Sequence, residues 1–185
     1  MRRRILLAWL ATGAITFFFG TAARALDFPD WYTVATAASL NKMDDVRALL
    51  RRGSNPDTAD PKGRTALSYA ASVGDTAIMK LLLEDGARPD IRDELGSTAL
   101  HWAAEGGHTE AVRLLIAAKA TIDALNKQGI TPLMLAAGNN KPDTVRVLLD
   151  AGADPEKQDF TGRDAAGWAA GRPAVLKVLQ RGRAG

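Results

Sequence analysis

"GSTALHWAAEGGH", from Gly96 to His108, holds the only two histidines of the chain. Histidine is the commonest metal ligand and a general base near neutral pH, so His101 and His108 pose a choice between chemistry and scaffold. The same stretch recurs along the chain. "GRTALSYAASVGD" begins at Gly63, "GITPLMLAAGNNK" at Gly129, and a weaker copy, "GRDAAGWAAG", at Gly162. The four glycines stand 33 residues apart. So do Thr65, Thr98 and Thr131, then Leu67, Leu100 and Leu133, and the Ala-Ala pairs that start at Ala70, Ala103, Ala136 and Ala169. A second register follows each copy: "IMKLLLEDGARPD" (Ile78 to Asp90), "AVRLLIAAKATID" (Ala111 to Asp123) and "TVRVLLDAGADPE" (Thr144 to Glu156). An earlier version, "DVRALLRRGSNPD", ends at Asp57. Self-similarity at this period marks a stacked-repeat protein.

Each unit reads as two short helices and a turn. The threonine after the glycine is placed to cap the first helix through its hydroxyl. The Ala-Ala pair in that helix leaves room for a neighbour to approach closely. The second helix carries leucines with Val or Ile at i, i+3, i+4 spacing, which makes one apolar face. It stops at Gly53, Gly86 and Gly152, where a glycine can take the left-handed conformation that ends a helix. Lys119 stands where a fourth such glycine is expected. If that turn needs positive φ, the lysine costs on the order of 1 kcal/mol relative to glycine. An extended, Asp-rich segment then leads to the next glycine. No unit can bury its apolar face alone, so stability is a sum of units and nearest-neighbour interfaces.

The pattern T-P-L-H-x-A-A…G-H…L-L…G-A-D resembles that of ankyrin repeats. "TALHWAAEGGHTEAVRLLIAA" and "TPLMLAAGNN…VRVLLDAGADPE" carry the likeness most fully. The resemblance runs from about Asp30 to the C-terminus. It implies an all-α fold, an ankyrin-type helical solenoid of about five stacked helix-turn-helix units with β-turn or hairpin loops. The units fall at approximately 30–60, 61–93, 94–126, 127–159 and 160–185, the outer two acting as caps. The first has Tyr32-Thr33-Val34 in place of the Thr-x-Leu signature, and the last has Asp164 and Ala166 in place of Thr and Leu. Phe28 and Trp31 are expected to cover the first unit's open end.

The leading 25 residues read differently. "MRRR" is basic, Ile5 to Gly20 is uncharged and mostly apolar, and Ala23-Arg24-Ala25 is a small-x-small sequence before Leu26. Together they have the form of a secretory signal peptide cleaved after Ala25. The apolar run is shorter than the roughly twenty residues a spanning helix needs, so no membrane association is expected after cleavage. The chain's 24 Lys and Arg against 21 Asp and Glu give +3. Without Arg2, Arg3, Arg4 and Arg24 the balance is 20 against 21, a net of −1. The basic character therefore belongs to the leader, and nucleic acid is not an expected partner. The remaining cluster of Arg172, Lys177, Arg181 and Arg183 reads as a solvated end cap. The chain has no cysteine, which excludes disulfides and thiolate metal sites.

The histidines are accounted for by the repeat. In the family, a histidine at the place of His101 hydrogen-bonds backbone near the turns and links units, and His108 falls in the turn between helices. Neighbouring units put Ser68 and Met134 in place of His101, and Asp75 and Lys141 in place of His108, so no second ligand is supplied. No His-Glu-x-x-His spacing, phosphate loop or G-x-S-x-G elbow occurs. The paired acids Asp44-Asp45 and Glu84-Asp85 read as solvated helix ends. The expectation is a non-enzyme with no cofactor, no catalytic residue and no metal site.

By resemblance, function is recognition of another protein through the turn tips and the exposed ends of the first helices. Carried over, the tip positions are Pro61, Lys62 and Arg64; Glu94, Leu95 and Ser97; Lys127, Gln128 and Ile130; and Phe160, Thr161 and Arg163. The helix ends add Ser72, Val73, Glu105 and Asn139. Leu95, Ile130 and Phe160 are apolar where the scaffold does not require it, and basic residues rim them, as in a protein interface. Tyr69, Trp102, Leu135 and Trp168 form a column that reads as packing between helices. The whole reads as a monomeric Gram-negative export product that binds a protein partner in the periplasm. A periplasmic immunity protein blocking a toxin, or a secreted effector binding host proteins, are the other readings.

Overall fold

The structure is a computed structural model that describes residues 32–182. The leader with its cleavage point at Ala25, Phe28, Trp31 and Arg183 lie outside the described residues. Ten helices succeed one another, with no strand among the described residues: α1 Val34–Ser39, α2 Met43–Arg51, α3 Ala66–Val73, α4 Thr76–Glu84, α5 Ala99–Gly106, α6 Thr109–Ala117, α7 Pro132–Gly138, α8 Pro142–Asp150, α9 Ala165–Trp168 and α10 Pro173–Gly182. They form five pairs. The first helices pack in the row α1, α3, α5, α7, α9, and the second helices in the row α2, α4, α6, α8, α10.

The caps explain where each first helix begins. Thr65 and Thr131 accept the amide three residues on, each at 3.2 Å, and Thr98 is boxed with His101. The outer units keep this device in altered form. Thr33, 32 residues before Thr65, accepts from Thr36 N, and the Asp164 carboxylate accepts from Gly167 N at 2.7 Å. The second helices end as the spacing implies, with φ of +80° at Gly53, +87° at Gly86 and +94° at Gly152. Lys119 takes the same conformation, φ +65°, and bears the steric cost of a Cβ there. Lys119→Gly should therefore raise stability by up to about 1 kcal/mol, read as a shift of the urea midpoint with an unchanged slope.

The core runs the length of the stack. Leu67, Leu100 and Leu133 of the first helices and Leu82, Leu115 and Leu148 of the second are fully buried, as are the Ala pairs that start at Ala70, Ala103 and Ala136. Alanines let those helices approach, and the leucine face of each inner second helix, α4, α6 and α8, meets the two neighbouring units. Two backbone-directed series stitch units together. Asp57 accepts from Arg88 N at 2.9 Å, Asp90 from Thr121 N at 2.9 Å, and Asp123 from Asp154 N at 3.2 Å. At the opposite edge, Glu94 N donates to Lys62 O, Lys127 N to Leu95 O, and Phe160 N to Gln128 O. From the second unit to the fifth the tips thus form a chain of single main-chain links, in place of paired strands.

Candidate functional site

Each tip is built on one side chain. Asp60, Asp93, Asn126 and Asp159 stand 33 residues apart, three before each repeating glycine. Their Oδ1 atoms accept two amides each: Lys62 and Arg64, Leu95 and Ser97, Gln128 and Ile130, Thr161 and Arg163, all within 2.8–3.0 Å. A short polar side chain that binds its own following backbone fixes such a turn without help from a neighbour. The glycine inside it has a second constraint. A Cβ on Gly96 (φ +76°) would meet Lys127 N at 2.9 Å, so the next tip can cross only a bare Cα.

The second carboxylate oxygen decides the aromatic column. Tyr69 Oη donates to Asp60 Oδ2 at 2.5 Å, and Trp102 Nε1 and Trp168 Nε1 donate to Asp93 and Asp159 Oδ2 at 2.9 Å. Where the tip residue is Asn126, whose remaining group is itself a donor, the column holds Leu135, which donates nothing. The half-buried aromatics therefore brace their own tips as well as packing between helices. Burial resists ionisation of Asp159, but hydrogen bonds from Thr161, Arg163 and Trp168 outweigh it and hold the carboxyl far below its usual range. Asp60 is also lowered: desolvation opposes, while the Tyr69 hydroxyl, the Arg64 and Lys62 amides and the Arg64 charge prevail.

The surface positions separate into two groups. Pro61, Lys62, Glu94, Leu95, Lys127, Gln128, Phe160 and Thr161 point outward, as do Val73, Glu105 and Asn139 at the helix ends. Leu95 is 54% exposed, Val73 61% and Phe160 74%. Lys62, Arg64, Glu94 and Leu95 converge, with Asp93 and Trp102, around a cavity of about 260 Å³. Ser72 is half-buried, its hydroxyl donating to Tyr69 O at 2.8 Å. Arg163 is exposed but tied to Asp159 at 3.0 Å.

Two positions do not belong to the surface. Ile130 is 8% and Ser97 5% exposed. In the turn set by Asp93 or Asn126, the residue after the glycine folds inward. Its amide goes to the Oδ1, and its carbonyl accepts from the Asx amide, Asp93 N to Ser97 O and Asn126 N to Ile130 O. Ile130 is therefore core and Ser97 a buried turn residue, and neither is open to a partner as the repeat position alone implies.

Both histidines bond backbone. Thr98 N donates to His101 Nδ1 at 3.1 Å, so the Nε2–H of His101 donates to Ile130 O at 3.1 Å in the next unit. The ring is fully buried, and desolvation drives its pKa down to about 4, so it is neutral near pH 7. His108 reaches back, donating through Nε2 to Ser72 O at 3.1 Å. Among the described residues, no three His, Cys, Asp or Glu side chains gather as a group able to hold a metal ion.

A family model described as "Ankyrin repeats (3 copies)" matches in overlapping registers over residues 13–93, 34–125, 86–159 and 116–182. The chain belongs to the ankyrin-repeat family. No curated protein matches it. Ankyrin repeats generally mediate protein–protein interaction and are typically non-enzymatic, and the fold here is the expected ankyrin solenoid. The tip framework, Asx hook and aromatic brace, was not singled out from the sequence. Its signal was present, because Asp60, Asp93, Asn126 and Asp159 share the period of the glycines.

Proposed function

We propose that this protein is exported to the periplasm, loses its leader after Ala25, and there acts as a monomeric, non-catalytic binder of one protein partner through its tip surface. One observation carries the binding part. Leu95 and Phe160 stand outward on tips whose backbone is fixed by Asp93 and Asp159 and linked to the neighbouring tip. The stack gains nothing from their exposure, and a rigid apolar site with Lys62 and Lys127 beside it loses little ordering entropy on association. The export part is supported by the basic start, apolar run and Ala23-Arg24-Ala25 of the leader.

Cell fractionation with N-terminal sequencing of the mature protein tests the destination. Retention of the leader would replace cleavage by a membrane anchor, recovery in the cytoplasm would end the export reading, and recovery in the medium would move the site of action outside the cell. Affinity capture from periplasmic extract tests the surface. Leu95→Asp combined with Phe160→Asp should abolish capture of the specific partner while leaving the melting temperature almost unchanged, since both side chains are exposed. Undiminished capture by that variant would place the binding surface elsewhere.

A further inference from the structure

We propose that the cavity between the tips of the second and third units receives one aspartate or glutamate side chain of the partner protein, with Arg64 as its anchor. This rests on the protein-binding reading and adds the chemistry of what is bound. The Arg64 guanidinium carbon lies 4.7 Å from the Tyr69 ring centroid and 3.9 Å from that of Trp102. Two rings of successive units thus hold a long, flexible side chain in place, and its ordering cost is met before a partner arrives. Arg47, Arg88, Arg146 and Arg163 each pair with an aspartate, whereas Arg64 forms no ion pair among the described residues. Its Nε is enclosed without a hydrogen-bond partner.

Arg163, in the same repeat position, shows what completes such a residue. It stacks over Trp168 at 4.5 Å, while its Nε and Nη2 donate to Asp159 Oδ2 at 3.1 and 3.0 Å. Aromatic face, guanidinium and carboxylate there form one assembly. At Arg64 no carboxylate closes an ion pair, although its charge acts on the Asp60 carboxyl, and the two nearest acids point to other groups. Asp60 Oδ2 holds the Tyr69 hydroxyl, and Asp93 holds the amides of Leu95 and Ser97 and the Trp102 indole. Lys62 lines the cavity with a second positive charge, and Leu95 offers an apolar wall for a side-chain stem. Asp93 and Glu94 also line it, so a singly charged carboxylate meets less repulsion than a dianionic phosphate.

Selection of a random-peptide display library on the full chain, followed by affinity measurement on synthetic peptides, tests this. The selected peptides should share one acidic position. Changing that residue to its amide should weaken binding roughly tenfold to a hundredfold, as for a charge-assisted hydrogen bond. Arg64→Gln should weaken binding similarly and erase the difference between acid and amide peptides. Arg64→Lys should restore only part, lacking the planar fork. The peptide-side change reads on unaltered protein, so it stands even if the arginine variants fold poorly. Peptides without a shared acid, an acid preference that persists in Arg64→Gln, a phosphoserine peptide that binds tighter through Arg64, or an empty selection would each overturn the proposal. Partner capture that is lost with Leu95→Asp and Phe160→Asp yet indifferent to Arg64→Gln would leave the tip surface standing and sink the pocket alone.

Discussion

Leu115→Ala should lower the stability of the protein by about 2–5 kcal/mol, the cost of emptying a well-packed leucine site. Leu115 lies on α6 in the central unit and is fully buried. That helix packs on α5 within its unit and on α4 and α8 to either side. The cavity is therefore flanked by rigid neighbours in three directions and cannot collapse easily. In a stack stabilised by nearest-neighbour interfaces, a defect in the middle weakens two of them at once. Urea unfolding followed by circular dichroism gives the number directly. A loss of a few tenths of a kcal/mol would mean that this face of α6 does not meet the core.

Acidification should remove about 3 kcal/mol of stability through a single ring, His101, as the pH falls from about 6.5 to about 4. The sign follows from proton binding. Burial depresses the native pKa to about 4, while the unfolded chain binds its proton with a pKa of 6.5. Between those values the unfolded state takes up the proton first, so stability is full above the upper value and is lost on the way down. The Arg92 charge adds to the depression, and the Ile130 carbonyl and Asp93 oppose it without prevailing. His101→Met should flatten this part of the profile. Met134 occupies the same place one unit on, taking the Thr131 amide at 3.5 Å on its sulfur, and Ile130 O keeps the Asn126 amide as donor. The depressed carboxyls of Asp60 and Asp159 lose their contribution only at lower pH, so the difference between wild type and variant isolates the histidine. Parallel profiles for the two proteins would show that the ring titrates near its ordinary value.

The fold was legible because its parts repeat. Four glycines, the cap threonines and the leucine faces appear at one spacing, and each has a local physical reason to stand there. The scaffold role of His101 and His108 was legible for the same cause, since replacing units carry serine, methionine, aspartate or lysine. The surface was only partly so. A repeat fixes which residues share a position but not which way an extended segment faces. By repeat position Ile130 falls beside Leu95, whereas the inward turn of the residue after the glycine depends on carbonyl and Asx hydrogen bonds with no apolar pattern. The cap at Thr33 is hidden in the sequence because the first unit is one residue out of step. Arg64 held between two rings could not be foreseen either, because its partners, Tyr69 and Trp102, come from different units.

The main-chain links from Glu94, Lys127 and Phe160 to the carbonyls before them carry a consequence for ancestry. Where one tip begins is set by a main-chain amide and a carbonyl, which every residue type but proline possesses. The outward letters can thus be exchanged singly, with no insertion, no shifted neighbour and no compensating change inside the pile. A lineage carrying this framework can switch its target by point substitution while the part that must fold stays as it was.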